Sequence, residues 1–232
     1  MTRIDFTIYL RAIAMLLRAP SVLVAPALGA IAALILDQLA GVLTNPLGGA
    51  GAGIFTWIAN VLFSFAFGMA IIQADYIERG LRGTFDNAWQ ETRRKAGGII
   101  LAAIGFWFLY WIAGYIGAML GSLTLQLAFS LIAAFFLIYT IPAAAIGGLP
   151  GSLAIGGSIR AVRDSVLGSA ILAIAFVLIF YLAPQFAAAY ITRAFTLGHV
   201  EGVLIWAALE AIALGYLAFP FAKQYAGVAF RR

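Results

Sequence analysis

Between Ala96 and Ile159 the chain runs for 64 consecutive residues without Asp, Glu, Lys or Arg. A helix needs only about 20 predominantly apolar residues to cross a bilayer, so this run has room for at least two crossings. A water-soluble fold would have to clothe such a run in a charged exterior, but only 10% of the 232 residues are charged and 64% are hydrophobic. Soluble domains use about 25% charged residues. With a mean hydropathy of +1.04, the chain reads as an all-α polytopic membrane helix bundle, one integral membrane domain over residues 1–232 with lipid as its main solvent.

Apolar stretches separated by turn-forming or charged links predict six spans: Pro20 to Val42, Gly53 to Asp75, Gly98 to Ala118, Ser122 to Ile146, Val166 to Ala189, and Glu201 to Ala222. The links alternate. Leu43 to Ala52 and the turn around Gly121 are uncharged and Gly-rich, whereas Tyr76 to Gly97 and Gly147 to Ser165 are basic. With six spans, 13 of the 14 Lys and Arg fall on one face of the membrane and only Arg193 on the other. The positive-inside bias then predicts a multi-pass protein of a bacterial-type plasma membrane with both termini cytoplasmic. The first 18 residues carry three arginines, and the following apolar stretch is longer than a signal peptide's, so the N-terminus is expected to stay attached.

Three basic segments have helical amphipathic spacing and each leads into a span. In the first, Phe6, Tyr9, Leu10, Ile13, Leu16 and Leu17 line one face and Thr7, Arg11 and Arg18 the other. In the second, Thr84 is placed to cap a helix whose Phe85, Ala88, Trp89 and Thr92 share a face. In the third, Ile155, Ile159, Val162 and Val166 form the stripe. Such helices lie in the headgroup plane, so Arg11, Arg18, Arg93, Arg94, Lys95, Arg160 and Arg163 are candidate contacts for anionic lipid. Arg18, Arg93 and Arg163 are 75 and 70 residues apart, and two spans follow each, as three units of one interfacial helix plus one helical hairpin would require.

Few residues within the spans could carry chemistry. Asp37 and Glu210 are ionisable side chains that hydrocarbon penalises, so they must face protein or water, as part of a proton or cation path or as protonated or hydrogen-bonded structural groups. Gln126 and Gln185 complete the candidate intramembrane polar site, and Asn60 and Gln73 read as interhelical glue. Pro26, Pro142, Pro184 and Pro220 fall inside spans, where each removes a backbone donor. Gly114, Gly117, Ala118 and Gly121 suit close helix contact. The group Arg193, His199 and Glu201 reads as a solvated rim, and a lone histidine cannot build a haem or histidine-rich metal site. No catalytic, nucleotide-binding or metal motif is present, so no cofactor and no enzymatic activity are expected. The net charge of +5 is dispersed between apolar spans, so nucleic acid is not an expected partner.

The stretch ADYIERGLRGTFDNAWQETRRKAGGIILAAI, Ala74 to Ile104, has a span leaving into a small basic loop, a short amphipathic helix and the next span. It resembles a pattern in bacterial multi-span membrane proteins, including the membrane domain associated with some glycerophosphodiester phosphodiesterases. The segment from Tyr139 to Leu172, with its proline-ended span and the helix around Ser158 to Arg163, looks like the second half of that pattern. The resemblance implies a fold; the phosphodiesterase chemistry belongs to a separate soluble domain.

Three function classes stay open. A non-catalytic scaffold, anchor or accessory subunit, alone as a homo-oligomer or in a larger membrane complex with anionic lipid around it, agrees with the missing motifs and the basic amphipathic helices. A small transporter or channel would use Asp37 and Glu210. An intramembrane lipid enzyme lacks a nucleophile and base. A polar cavity around Glu210 would separate the second class from the first.

Overall fold

A computed structural model describes residues 6–196 and 198–230. It is helical throughout, with no strand among the described residues. The elements are α1 (Thr7–Arg18), a 3₁₀ turn (Pro20–Leu23), α2 (Val24–Glu78), α3 (Phe85–Arg94), α4 (Ala96–Met119), α5 (Leu123–Leu137), α6 (Thr140–Ala145), α7 (Gly151–Asp164), α8 (Val166–Val177), a π-helical turn (Leu178–Leu182), α9 (Ala183–Ala194) and α10 (His199–Ala229). Among the described residues, five segments are long and apolar enough to cross a membrane: Pro20–Ala40, Gly53–Glu78, Ala96–Met119, Leu123–Ala145 and His199–Ala229. A shorter apolar helix covers Val166–Phe180.

The backbone of α2 is helical through Leu43 to Ala52, where a link between two spans is expected from sequence. It nevertheless turns back on itself. A β-carbon on Gly29 would sit 2.6 Å from the Ala66 methyl, and Gln73 Nε2 donates to Ser21 Oγ at 2.9 Å. A straight helix at about 1.5 Å per residue would hold these partners more than 50 Å apart. The pairs share a midpoint near residue 47, so the chain reverses within the expected link while its local backbone stays helical. The side chains of 43–52 lie outside the described residues.

The second hairpin, α4 with α5, turns at Gly121, whose φ of +73° is left-handed and favours glycine. Its helices approach closely because Gly117 and Gly114 have no side chains. A β-carbon on Gly117 would lie 2.5 Å from Gln126 Cα, and one on Gly114 3.2 Å from Ser130 Oγ. Prolines shape two later helices. The π turn Leu178–Leu182 immediately precedes Pro184, whose missing N–H disrupts the regular ladder, so the run expected as one span over Val166 to Ala189 is divided into α8, the π turn and α9. Pro142 divides the fourth expected span into α5 and α6.

Side-chain bonds gather one set of segments at one end of the bundle. Lys223 Nζ meets Glu78 Oε2 at 3.1 Å, Lys95 Nζ donates to the Ala145 carbonyl at 2.8 Å, and Gln224 Nε2 donates to the Tyr9 hydroxyl at 2.8 Å. These join α1, the end of α2, the start of α4, the end of α6 and the end of α10. The centre is apolar and aromatic. Phe176 stacks on Phe180 at 4.6 Å, Phe67 meets Phe221 edge-on at 5.2 Å, and Phe106 meets Phe176 at 5.3 Å. A cavity of only about 20 Å³ remains among these rings.

Of the amphipathic helices, α1 divides its apolar residues between two surroundings. Ala12 is buried and Tyr9, Met15 and Leu16 pack on the core, while Phe6, Leu10, Ile13 and Leu17 project outward. In α7 the buried face is Ala154, Ser158, Ala161 and Val162, and Val166 of the expected stripe is exposed. Small residues win that face because α7 lies tight against α4, where a β-carbon on Gly105 would come within 2.8 Å of Ile155 Cδ1.

Gly117→Ala is expected to force the α4–α5 hairpin apart and to destabilise the protein by about 1–3 kcal/mol. Gly97→Ala, where nothing lies within 4 Å of the added carbon, is the control and is expected to be neutral or slightly stabilising. Thermal unfolding of both variants in detergent checks this.

Candidate functional site

Two polar constellations occupy the end of the bundle that carries the basic loops. The first is buried. Pro142 has no N–H to offer the Ile138 carbonyl, and the helix breaks at Ile138 and Tyr139, where Ser158 of α7 meets the backbone. The Tyr139 amide donates to Ser158 Oγ at 3.0 Å, and Ser158 donates onward to the Phe136 carbonyl at 2.8 Å. The Tyr139 side chain lies inward, where its hydroxyl donates to Gln224 Oε1 at 3.0 Å and sits 3.3 Å from Ser169 Oγ, whose proton goes chiefly to the Ser165 carbonyl at 2.6 Å. Gln224 Nε2 reaches Tyr9 of α1, and the Tyr216 hydroxyl donates to the Tyr9 carbonyl at 3.1 Å. The chain of bonds therefore ties α1, α6, α8 and α10 together. It contains no charged group, so it can orient helices but has no acid or base with which to drive chemistry near neutral pH.

The second constellation is an open groove of about 870 Å³ lined by Tyr76, Leu81, Arg82, Asn87, Gln90, Glu91, Arg93 and Arg94. Local chemistry builds it. Thr84 caps α3 by accepting from the Asn87 amide at 3.3 Å, and Asn87 Nδ2 holds the Arg82 carbonyl at 3.0 Å. Gln73 Nε2 fixes the loop by donating to the Gly83 carbonyl at 2.9 Å. The charges are unequal in role. Asp75 pairs with Arg79, Glu78 with Lys223, and Glu91 with both Arg94 and Lys95. Lys95 also reaches the Ala145 carbonyl at the C-terminal end of α6, where a cation meets the helix dipole. Among the described residues, Arg82 and Arg93 have no ion-pair partner and both are exposed. They are the groove's available cations.

The residues expected to carry function separate accordingly. Arg93 and Arg94 line the groove, Lys95 turns inward, and Arg11 bonds Thr7 of its own helix at 3.0 Å. Arg18 and Arg163 are exposed at the ends of α1 and α7, and Arg160 contributes to a separate cleft beside Asp164 and Tyr225. Glu210 is partly buried on α10 and engaged with other groups, whereas Gln126 lines a cavity walled by α2, α4 and α5. The side chains of Asp37 and Gln185 lie outside the described residues. Arg193, His199 and Glu201 are exposed at the opposite end.

The Tyr9–Gln224–Tyr139 network was not among the residues singled out from sequence. Its one sequence signal is Gln224 within an apolar helix. Arg82 was not singled out from sequence either; the structure pairs its neighbours Asp75 and Arg79 and leaves Arg82 exposed.

No protein-family model matches the chain, and neither the curated proteins nor the solved structures contain a match.

Tyr9→Phe removes the acceptor for Gln224 Nε2 and is expected to cost about 1 kcal/mol of thermal stability. Burial pushes the Tyr9 phenol above its ordinary range; the bond from Gln224 opposes this and nearby Tyr216 adds to it. A raised pKa means that the neutral phenol's contribution to α1 docking is complete below the ordinary value and is lost as pH climbs through the raised one. Unfolding followed from pH 7 to 12 is expected to show an alkaline loss of stability that is smaller in Tyr9→Phe than in the parent.

Proposed function

We propose that the chain is a non-catalytic membrane protein, a scaffold, anchor or accessory subunit that works at an anionic lipid surface. Its bundle has six spans in three units, each an interfacial helix followed by a hairpin, with both termini in the cytoplasm of a bacterial-type cell. The observation that carries this reading is the groove with Arg82 and Arg93 exposed and unpaired, beside a helix whose other cations are already occupied. Arginine presents a fork of donors matched to phosphate, and an anionic leaflet attracts juxtamembrane cations. The outward apolar row Phe6, Leu10, Ile13 and Leu17 of α1 supports placing that helix in the headgroup plane. The resemblance of Ala74 to Ile104 to bacterial multi-span proteins favours the same three-unit architecture.

The alternative, a transporter using Asp37 and Glu210, calls for a polar passage through the bundle. The aromatic packing of Phe63, Phe67, Phe106, Phe176, Phe180 and Phe221 around about 20 Å³, room for about one water, supports the scaffold reading instead.

In nanodiscs of phosphatidylcholine doped with phosphatidylglycerol, Arg82→Gln/Arg93→Gln is expected to lose anionic-lipid enrichment worth about 1 kcal/mol per arginine, less at high salt. Lys95→Gln is expected to change enrichment little and to lower stability. Lipid enrichment unchanged in the double variant would defeat the reading. Proton flux in liposomes that disappears in Glu210→Gln would favour the transporter.

A further inference from the structure

At the end away from the basic groove, a cavity of about 280 Å³ opens between α2, α4 and α5. It reaches from Ala118, three residues before the turn at Gly121, to Trp107, which lies about 16 Å deeper along α4 at about 1.5 Å per residue. Besides tyrosine hydroxyls, two amides and one serine line it. Ser130 is fully buried and its hydroxyl has no hydrogen-bond partner. The amides of Asn60 and Gln126 also have none among the described residues. Facing them are aromatic surfaces: Trp57, and Trp111 stacked on Tyr115 at a ring separation of 5.7 Å, with both of these rings exposed at the mouth. No charged residue lines the site.

These features define what can fill it. Acyl chains would cover the rings but leave two amides and a hydroxyl without partners in hydrocarbon, which a membrane interior penalises. Water would meet the amides but leave the aromatic faces unused. An ion finds no counter-charge. An uncharged polyhydroxylated ring meets both demands: its hydroxyls bond the amides of Asn60 and Gln126, and its C–H faces lie against the negative faces of the aromatic rings. The mouth lies between exposed Trp111 and Tyr115 and leaves room for an acyl tether to pass out of the cavity.

The geometry points to a binding site for the neutral sugar head group of a glycolipid, on the side of the bundle opposite the basic groove. It is independent of the anionic-lipid reading, since neither its residues nor its ligand carry charge.

The full chain is tested in phosphatidylcholine nanodiscs. Three of its five tryptophans, Trp57, Trp107 and Trp111, line the cavity, so a Trp89→Phe/Trp206→Phe background makes intrinsic fluorescence report on it. Titrating glucosyl-diacylglycerol is expected to give a saturable change, and plain diacylglycerol none. In Asn60→Leu/Gln126→Leu the apparent affinity is expected to fall at least tenfold. Ala118→Phe blocks the mouth from an exposed position and is expected to abolish the response, which keeps the test decisive if the double variant fails to fold. Methyl glucoside in solution is expected to be inert; a saturable, variant-sensitive response to it would support the site and make the aqueous sugar its source. An equal response to diacylglycerol, or a response unchanged in Ala118→Phe, would overturn the assignment.

Discussion

A backbone amide or carbonyl left unmet in hydrocarbon costs several kcal/mol, and the helix break at Ile138 and Tyr139, beside Pro142, poses that problem at Phe136 and Tyr139. Ser158 answers it by bonding both Tyr139 N and the Phe136 carbonyl. This requires α7 to lie against the α5–α6 junction, and the small face Ala154, Ser158 and Ala161 lets it do so. Once α7 is seated, the Tyr139 hydroxyl points to Gln224, and Gln224 in turn fixes Tyr9 and hence α1. The break beside Pro142 is thus connected, through Tyr139 and Gln224, to the place where the first and last helices meet.

The neutrality of that network has a functional consequence. A charged residue at Gln224 would need a partner or a proton in a setting that resists both, whereas an amide can donate to one tyrosine and accept from another without either. The ionic contacts lie toward the end of the bundle that carries the basic loops instead, where Glu78 meets Lys223 and Glu91 meets Arg94 and Lys95. These pairs consume most of the nearby cations. What remains exposed and unpaired at the groove is Arg82 and Arg93, so the charge of this face is set as much by the acids that neutralise its neighbours as by the arginines themselves.

The helical class, the apolar helices long enough to span and the close approach at Gly114 and Gly117 were legible because composition, run length and residue size act locally. The reversal of α2 was legible too, though not its form: glycine-rich sequence from Leu43 to Ala52 signals a turn, but only the pairing of Gly29 with Ala66 reveals the hairpin under an unbroken helical backbone. The partition of the basic residues was not legible. Arg82, Arg93 and Lys95 look alike in one dimension, and only the position of the Ala145 carbonyl, fifty residues away, turns Lys95 inward. The buried network was hidden for the same reason, since Tyr9 and Gln224 are 215 positions apart and each is unremarkable alone.

The two ends of the bundle also differ in what their unsatisfied groups ask for. At the basic end, surplus positive charge is held at the surface by loops that are themselves pinned through Gln73 and Asn87. At the other end, Asn60, Gln126 and Ser130 are neutral and recessed among aromatic rings. A protein built only to span lipid would gain nothing from placing two amides and a buried hydroxyl together without protein partners, because apolar residues of similar volume would pack there without any polar group to satisfy. Placing them in one cavity concentrates the demand for hydrogen bonds, and in a solvent that cannot meet that demand the surroundings must recruit something that can.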